Sequence, residues 1–172
     1  MGNQLKIIDI EQITDNVFKL IDKDWMLITA GSAEDFNTMT ASWGGLGILW
    51  KKPIAICFVR PQRYTYKFME NCKFFTLTFF QEKDRSILNF CGTKSGRDVD
   101  KVKATGLTPL FTERGGIYFE QARLVLECKK LYSDNIQPEN FIYREIDKNI
   151  YPTKDYHRFY IGEIVSSLMV VE

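Results

Sequence analysis

Phe36-Asn37-Thr38-Met39-Thr40-Ala41-Ser42-Trp43 is followed by Gly44-Gly45-Leu46-Gly47 and, after Pro53, by the apolar run Ile54 to Val59. The first segment is rich in threonine and aromatic residues, which suit a pleated, half-buried surface, so it reads as a strand. The glycine run reads as a break after it. Six consecutive apolar residues from Ile54 to Val59 read as a strand buried on both faces. Two strands this close, with no helical pattern between them, set the sequence on an all-β course.

The neighbouring segments continue it. Trp25 to Ala30 is a short apolar strand closed by Gly31-Ser32. Pro61 suits the first position of a helix, where its missing N–H costs nothing, and Tyr64 to Asn71 continues that helix. Phe74 to Phe80 is a strand with Phe75, Leu77 and Phe79 on one face. Asp84 to Cys91 reads as a helix capped by Asp84 and stopped by Gly92, and Asp98 to Ala104 as another stopped by Gly106. Ala122, Leu124, Leu126 and Cys128 alternate with Arg123, Glu127 and Lys129, which predicts a half-exposed strand. Phe159 to Val171 is a long final strand in which Gly162 predicts a bulge or bend. The pattern holds six or more strands, no regular βαβ alternation, no internal repeat and no dividing linker. It predicts one domain over residues 1–172, mainly β, an antiparallel barrel with short helical insertions that closes to remove exposed edges.

Composition narrows the function classes. The chain has 172 residues, enough for a core without disulfides or a metal. Lys+Arg is 23 against Asp+Glu 22, so a net charge of +1 leaves no footprint for bulk nucleic-acid binding. Any bound anion must therefore be held by a local cluster. The first twenty residues mix charges with apolar residues and lack the core of a signal peptide, and no run approaches a membrane span. A cytoplasmic protein is expected. Cys57, Cys72, Cys91 and Cys128 are widely spaced and read as reduced thiols, and a single histidine argues against a metal site.

Three segments carry candidate chemistry. In the first, Thr38, Thr40 and Ser42 share one strand face and Met39, Ala41 and Trp43 the other. Hydroxyls beside backbone amides suit the edge of a flat heterocycle, although a solvated strand face has the same composition. In the second, Arg60-Pro61-Gln62-Arg63-Tyr64-Thr65 joins a buried strand to a helix start. Two arginines, a hydroxyl and free N–H groups converge there, as a phosphate monoester requires, although ordinary surface arginines at a helix start would read alike. The third is the polar loop Gly92 to Lys101. It is not the Gly-x-x-x-x-Gly-Lys-Ser/Thr phosphate loop, and a solvated loop with a cap from Ser95 or Asp98 accounts for it equally. His157 stands alone, a hydrogen-bonding group for a pocket mouth or a plain structural histidine.

Taken together, Asn37 to Trp43, Pro53, Arg60-Pro61 with Arg63-Tyr64-Thr65, Lys94 to Lys101, and His157 with Gly162-Glu163 resemble the flavin reductase-like family of FMN-binding split barrels, most nearly its flavoredoxin-like branch. The resemblance runs from about Trp25 to Val165. It implies a homodimer of six-stranded, Greek-key-like barrels with FMN near the subunit interface. It implies cofactor contact for Asn37, and for Met39, Thr40, Ala41, Ser42 and Trp43 a place along the isoalloxazine ring. Arg60, Arg63, Tyr64 and Thr65 would surround the phosphate and ribityl end. Ser95, Gly96, Arg97 and Lys101 would close the site. His157 would lie near a nicotinamide.

Two function classes follow from the resemblance. One is an NAD(P)H-dependent flavin reductase, with NADH or NADPH as electron donor. The other is a flavin electron carrier that docks to redox proteins. Both need only a protein that positions the cofactor, so the absence of a catalytic acid–base pair is no objection. Neither calls for nucleic acid or membrane partners.

Overall fold

A computed structural model describes residues 4–170 of the chain. Among the described residues there are ten strands: β1 (Leu5–Ile8), β2 (Met26–Gly31), β3 (Phe36–Ala41), β4 (Gly44–Leu49), β5 (Lys52–Val59), β6 (Phe74–Phe79), β7 (Pro109–Phe111), β8 (Ile117–Phe119), β9 (Leu124–Asn135) and β10 (Arg158–Val170). The helices are α1 (Val17–Lys19), α2 (Thr65–Asn71), α3 (Arg85–Thr93), α4 (Lys101–Thr105) and α5 (Arg144–Ile150). The main sheet runs β3-β2-β6-β9-β10-β5-β4, with β1 added on β10, and every pairing in it is antiparallel. β7 and β8 form a separate hairpin. No described helix is long and apolar enough to cross a membrane.

The terminal strands of that order, β3 and β4, are joined by only Ser42 and Trp43. Six inter-strand gaps of about 4.8 Å would separate the ends of a flat sheet by about 29 Å. The chain from Ala41 to Gly44 spans at most about 11 Å. The sheet therefore curls until its two ends meet, and Gly44 lies against the start of β2: a Cβ there would sit 3.3 Å from Met26 Cε and 2.6 Å from the Ile56 carbonyl. This is a split β-barrel. Its sheet carries eight strands where the resemblance implied six.

One face of each strand fills the barrel. Met26, Ile28 and Ala30 of β2, Met39 of β3, Ala55, Cys57 and Val59 of β5, Phe75, Leu77 and Phe79 of β6, Leu124, Leu126 and Cys128 of β9, and Tyr160 and Ile164 of β10 form one buried cluster. A second cluster of Leu27, Phe80, Leu88, Cys91, Leu107 and Phe119 lies outside, packing α3 and the β8 hairpin onto β2. Bulges in β10 at Ile161/Gly162 and Ile164/Ser166 let its other edge serve β5 first and β1 afterwards.

Several expectations change. The Gly44 to Gly47 run is not a break but the first four residues of β4, extended because they pair with Ile54 to Cys57. Pro61 lies in a turn closed by the Arg63 N–H on the Arg60 carbonyl (3.0 Å), and α2 begins only at Thr65. α3 continues through Gly92 to Thr93, since that glycine packs against Thr40. α4 starts at Lys101, capped by the Asp100 side chain rather than by Ser95 or Asp98, and ends on Gly106 at φ +70°. β9 is buried on both faces as far as Cys128, because the Thr112–Gly116 turn covers Glu127, which accepts a hydrogen bond from Thr112. In the Ile54–Val59 run only Ile56 and Phe58 stay half-buried. Val171 lies outside the described residues.

At Gly162 an added Cβ would meet Cys128 Cβ and Phe75 Cζ, both at 2.8 Å, inside the core. Gly162→Ala is expected to lower stability by about 1–3 kcal/mol through overpacking. Gly47→Ala, whose Cβ meets nothing within 4 Å, should stay within about 0.5 kcal/mol of wild type. Urea unfolding midpoints at constant m-value check the pair.

Candidate functional site

β3 is the seam strand, and the candidate residues lie along it. Its inward residues Asn37, Met39 and Ala41 pair with Ala30, Ile28 and Met26 of β2. The Thr38 carbonyl instead accepts from Lys101 Nζ at 2.8 Å, so the backbone groups of Thr38 are directed away from β2. Alternate residues of an antiparallel strand aim both N–H and C=O to one side. Thr40 therefore also turns its amide and carbonyl to the open edge. The side chains behind that edge are spoken for: Thr38 Oγ1 bonds Thr29 Oγ1 (2.9 Å) and Thr40 Oγ1 donates to the Leu88 carbonyl (2.5 Å). Met39 is buried in the barrel.

At the Asn37 end a cleft of about 150 Å³ gathers Asn37, Arg63, Tyr64, Thr65, Ser95, Gly96, Arg97 and Lys101, all expected from the sequence. Asn37 Nδ2 donates to Thr65 Oγ1 at 2.7 Å. A Cβ on Gly96 would fall 2.0 Å from Asn37 Oδ1 and 2.9 Å from Tyr64 Cδ1, so only glycine lets this loop close on the strand. Arg97 Nη1 donates to the Gln62 carbonyl (3.0 Å), and its guanidinium lies 5.0 Å from the Tyr64 ring centroid.

The cations are held by carbonyls. Lys101 Nζ donates to the carbonyls of Thr38 (2.8 Å) and Cys91 (2.9 Å), and Arg63 to those of Gly92 (3.0 Å) and Cys91 (3.4 Å). Cys91 and Gly92 lie in the last turn of α3, where carbonyls lack helical partners and the helix dipole is negative. Among the described residues no carboxylate pairs with Arg63, Arg97 or Lys101. Burial pushes the Arg63 guanidinium below its ordinary value, and burial with the nearby Arg63 charge lowers Lys101 to about 8. Three cations without counter-charge around a small polar cleft form an anion cradle.

The other end of β3 differs. Trp43 is 46% exposed and borders an open groove of about 1000 Å³ with Phe18, Ser42 and Gly44. Its ring centroid lies 5.0 Å from that of His157, whose Nδ1 is 2.8 Å from Tyr151 Oη. Burial, then the Arg60 charge, lowers His157 to about 4, so the imidazole is neutral near pH 7. Arg60 does not reach the anion cleft. It pairs with Asp155, donates to the Ile150 carbonyl (3.0 Å) and stacks 5.2 Å from the Tyr151 centroid. From Asn37 to Ser42 is about 17 Å of strand, the scale of a heterocycle with a short chain and a phosphate. Sequence reasoning missed Tyr151 and Asp155, which lie in a segment without a strand pattern, and the α3 carbonyls, which no side chain announces.

A closed antiparallel barrel whose seam strand carries an anion cradle at one end and an aromatic groove at the other defines a class of small ligand-binding split barrels. The chain belongs to the flavin reductase like domain family, whose model matches residues 20–169. No curated protein matches it in sequence. An FMN-binding domain of a flavin reductases-like enzyme from Shewanella baltica superposes with a TM-score of 0.71 at 15% identity, covering 99% of this chain and 79% of that one. Flavoredoxin of Desulfovibrio vulgaris gives 0.66 at 20% identity, covering 96% and 78%. A Streptomyces globisporus NADH:FAD oxidoreductase, in complex with NAD and FAD fragments, gives 0.63 at 14%, covering 84% and 73%. At these identities the likeness is one of fold.

His157 yields a test of the groove end. Its folded pKa of about 4 lies below the ordinary 6.5, so between these values the unfolded chain binds more protons. Its neutral burial contributes stability in full above about pH 6.5, and that contribution is lost as pH falls toward 4. Thermal unfolding of His157→Gln should show a shallower decline than wild type across that window, and parallel curves would argue that the imidazole is not buried neutral.

Proposed function

We propose that the chain binds FMN along β3, with the phosphate in the Arg63–Lys101 cleft and the ring toward Trp43, and acts as an NAD(P)H-dependent flavin reductase. The observation that carries the reading is the set of three cations that meet at the cleft without a carboxylate partner. A phosphate monoester near pH 7 carries close to two negative charges and three acceptor oxygens, which suits Arg63, Arg97, Lys101 and the Ser95 hydroxyl. The β3 edge offers the Thr40 amide and carbonyl to the donor–acceptor edge of a flavin. FMN when bound supplies reversible two-electron transfer.

The chain's own part is binding and orientation. Neutral His157, held by Tyr151, can offer its other ring nitrogen to a nicotinamide carboxamide and set that ring against the flavin, a positioning effect. A second reading, an electron carrier docking to redox proteins, draws on the exposed Phe18 and Trp43 that flank the groove. A cytoplasmic location goes with either reading, as do the four free cysteines.

A homodimer belongs to the same proposal. β4 is an edge strand whose Ile48 is 75% exposed, and the turn after it bears Trp50 at 55%. Exposed apolar side chains at a strand edge call for cover, and a second copy of the chain supplies it.

Arg63→Ala should weaken FMN roughly ten- to hundred-fold, the worth of a charge-assisted hydrogen bond, and riboflavin much less. Equal losses in fluorescence titrations would remove the phosphate from this cleft. Under anaerobic conditions NADH or NADPH should bleach the bound flavin, and His157→Ala should slow that step while leaving dithionite reduction unchanged. A wild-type flavin that stays yellow for many minutes under both nucleotides leaves the carrier reading.

Sedimentation at micromolar concentration should give a flavin-loaded dimer, and the double substitution Ile48→Glu with Trp50→Glu should give a monomer. A wild-type monomer with full flavin would defeat the dimer.

A further inference from the structure

Lys101 is unusual among the cations of the cleft. It is only 5% exposed, and its ammonium rests on two main-chain carbonyls from different elements, Thr38 on the β3 edge and Cys91 at the end of α3. An ammonium has three donors, and two are used. Lys101 itself lines both the small cleft and the adjoining cavity of about 490 Å³.

We infer that Lys101 makes recognition of the phosphorylated flavin proton-linked at alkaline pH: there, as the phosphate enters, a neutral Lys101 amine takes one proton from solvent, and the resulting ammonium ties the phosphate to the β3 edge. The inference rests on the cleft being the phosphate site. It adds that Lys101 determines specificity for the phosphorylated ligand and positions β3 for it.

The surroundings support this. From the segment before α2, Arg63 disfavours a second cation beside it. From α3, Cys91 favours the ammonium only if ionised, and burial raises that thiol. Across the larger cavity stand Glu34 and Asp35, and on the loop before α4 stand Arg97, Asp98 and Asp100. Among the described residues none of these four carboxylates forms an ion pair with Lys101. The ammonium therefore lacks a counter-charge, and burial brings its pKa to about 8. A phosphate dianion at the third donor reverses that balance and raises the pKa. Below about pH 8 the ammonium is already present and binding moves little proton. Above it, affinity for the phosphorylated ligand falls as pH rises. The phosphate's own second ionisation, near pH 6, is about nine-tenths done at pH 7 and contributes little change above it.

The test is titration of the chain with FMN and with riboflavin from pH 7 to pH 9. The ratio of the two dissociation constants cancels everything common to both flavins. FMN should be favoured at pH 7, with the preference about tenfold smaller at pH 9. Calorimetry in two buffers of different ionisation heat should show wild type taking up roughly three-quarters of a proton more with FMN than with riboflavin at pH 8.5. Lys101→Arg keeps a permanent charge, so its preference should be independent of pH, while Lys101→Met should show a small preference throughout. A large preference that persists unchanged to pH 9, with no excess proton uptake, overturns the linkage and leaves the phosphate site standing. No preference at pH 7 overturns the phosphate reading itself. A pH-dependent preference surviving in Lys101→Arg assigns the proton to another group, Cys91 first, and also overturns the inference.

Discussion

Two residues, Ser42 and Trp43, connect strands that stand at opposite ends of a seven-strand path. That short tether sets the architecture. A sheet so constrained cannot lie flat, so it rolls up, buries one face of each strand and leaves a seam where β3 and β4 part. The edge of β3 that lacks a neighbouring strand is the place where a ligand can meet main-chain donors and acceptors. Site and closure thus share one cause, and the tether itself supplies Trp43 to the groove.

The second organising feature is the end of α3. Its last turn has carbonyls without helical partners, and the fold aims them at the seam. Cys91 and Gly92 hold Lys101 and Arg63 there, and Lys101 reaches on to the Thr38 carbonyl of β3. Carbonyl dipoles make burial of these cations tolerable without neutralising them. The cations of the cleft stay without a paired carboxylate, in contrast to Arg60, which Asp155 pairs. Two arginines three residues apart therefore have opposite electrostatic roles. An anion in the cleft would relieve the repulsion between Arg63 and Lys101 and stabilise the fold by binding only the native state.

Much of this was legible in the sequence where the local pattern and the tertiary environment agree. Phe75, Leu77 and Phe79 line one face of β6 as their alternation requires, and Gly162 marks a bulge because Phe75 occupies the space of its missing side chain. The basic and glycine-containing segments around Arg63 and Gly96 do meet, beside Asn37. Readings went astray where a distant partner decided the matter. The Gly44 to Gly47 run is extended because β5 pairs with it. β9 loses its exposed face because the turn between β7 and β8 covers Glu127. The helix expected at Pro61 is a different case, delayed to Thr65 by a local turn between Arg60 and Arg63.

Sequence alone determined the class of the fold and the chemistry available to it, because strand periodicity, turn residues and the choice of arginine, lysine and threonine are local properties that need no partner. Tertiary structure alone decided which of those groups became a site. Whether a cation is paired or left uncompensated, whether a histidine is charged, and whether a backbone edge is covered or open depend on burial and on neighbours the fold brings in, such as Thr65, 28 residues from Asn37, or Asp155, 95 from Arg60. Charge and solvation are set by surroundings, and the surroundings exist only once the barrel has closed.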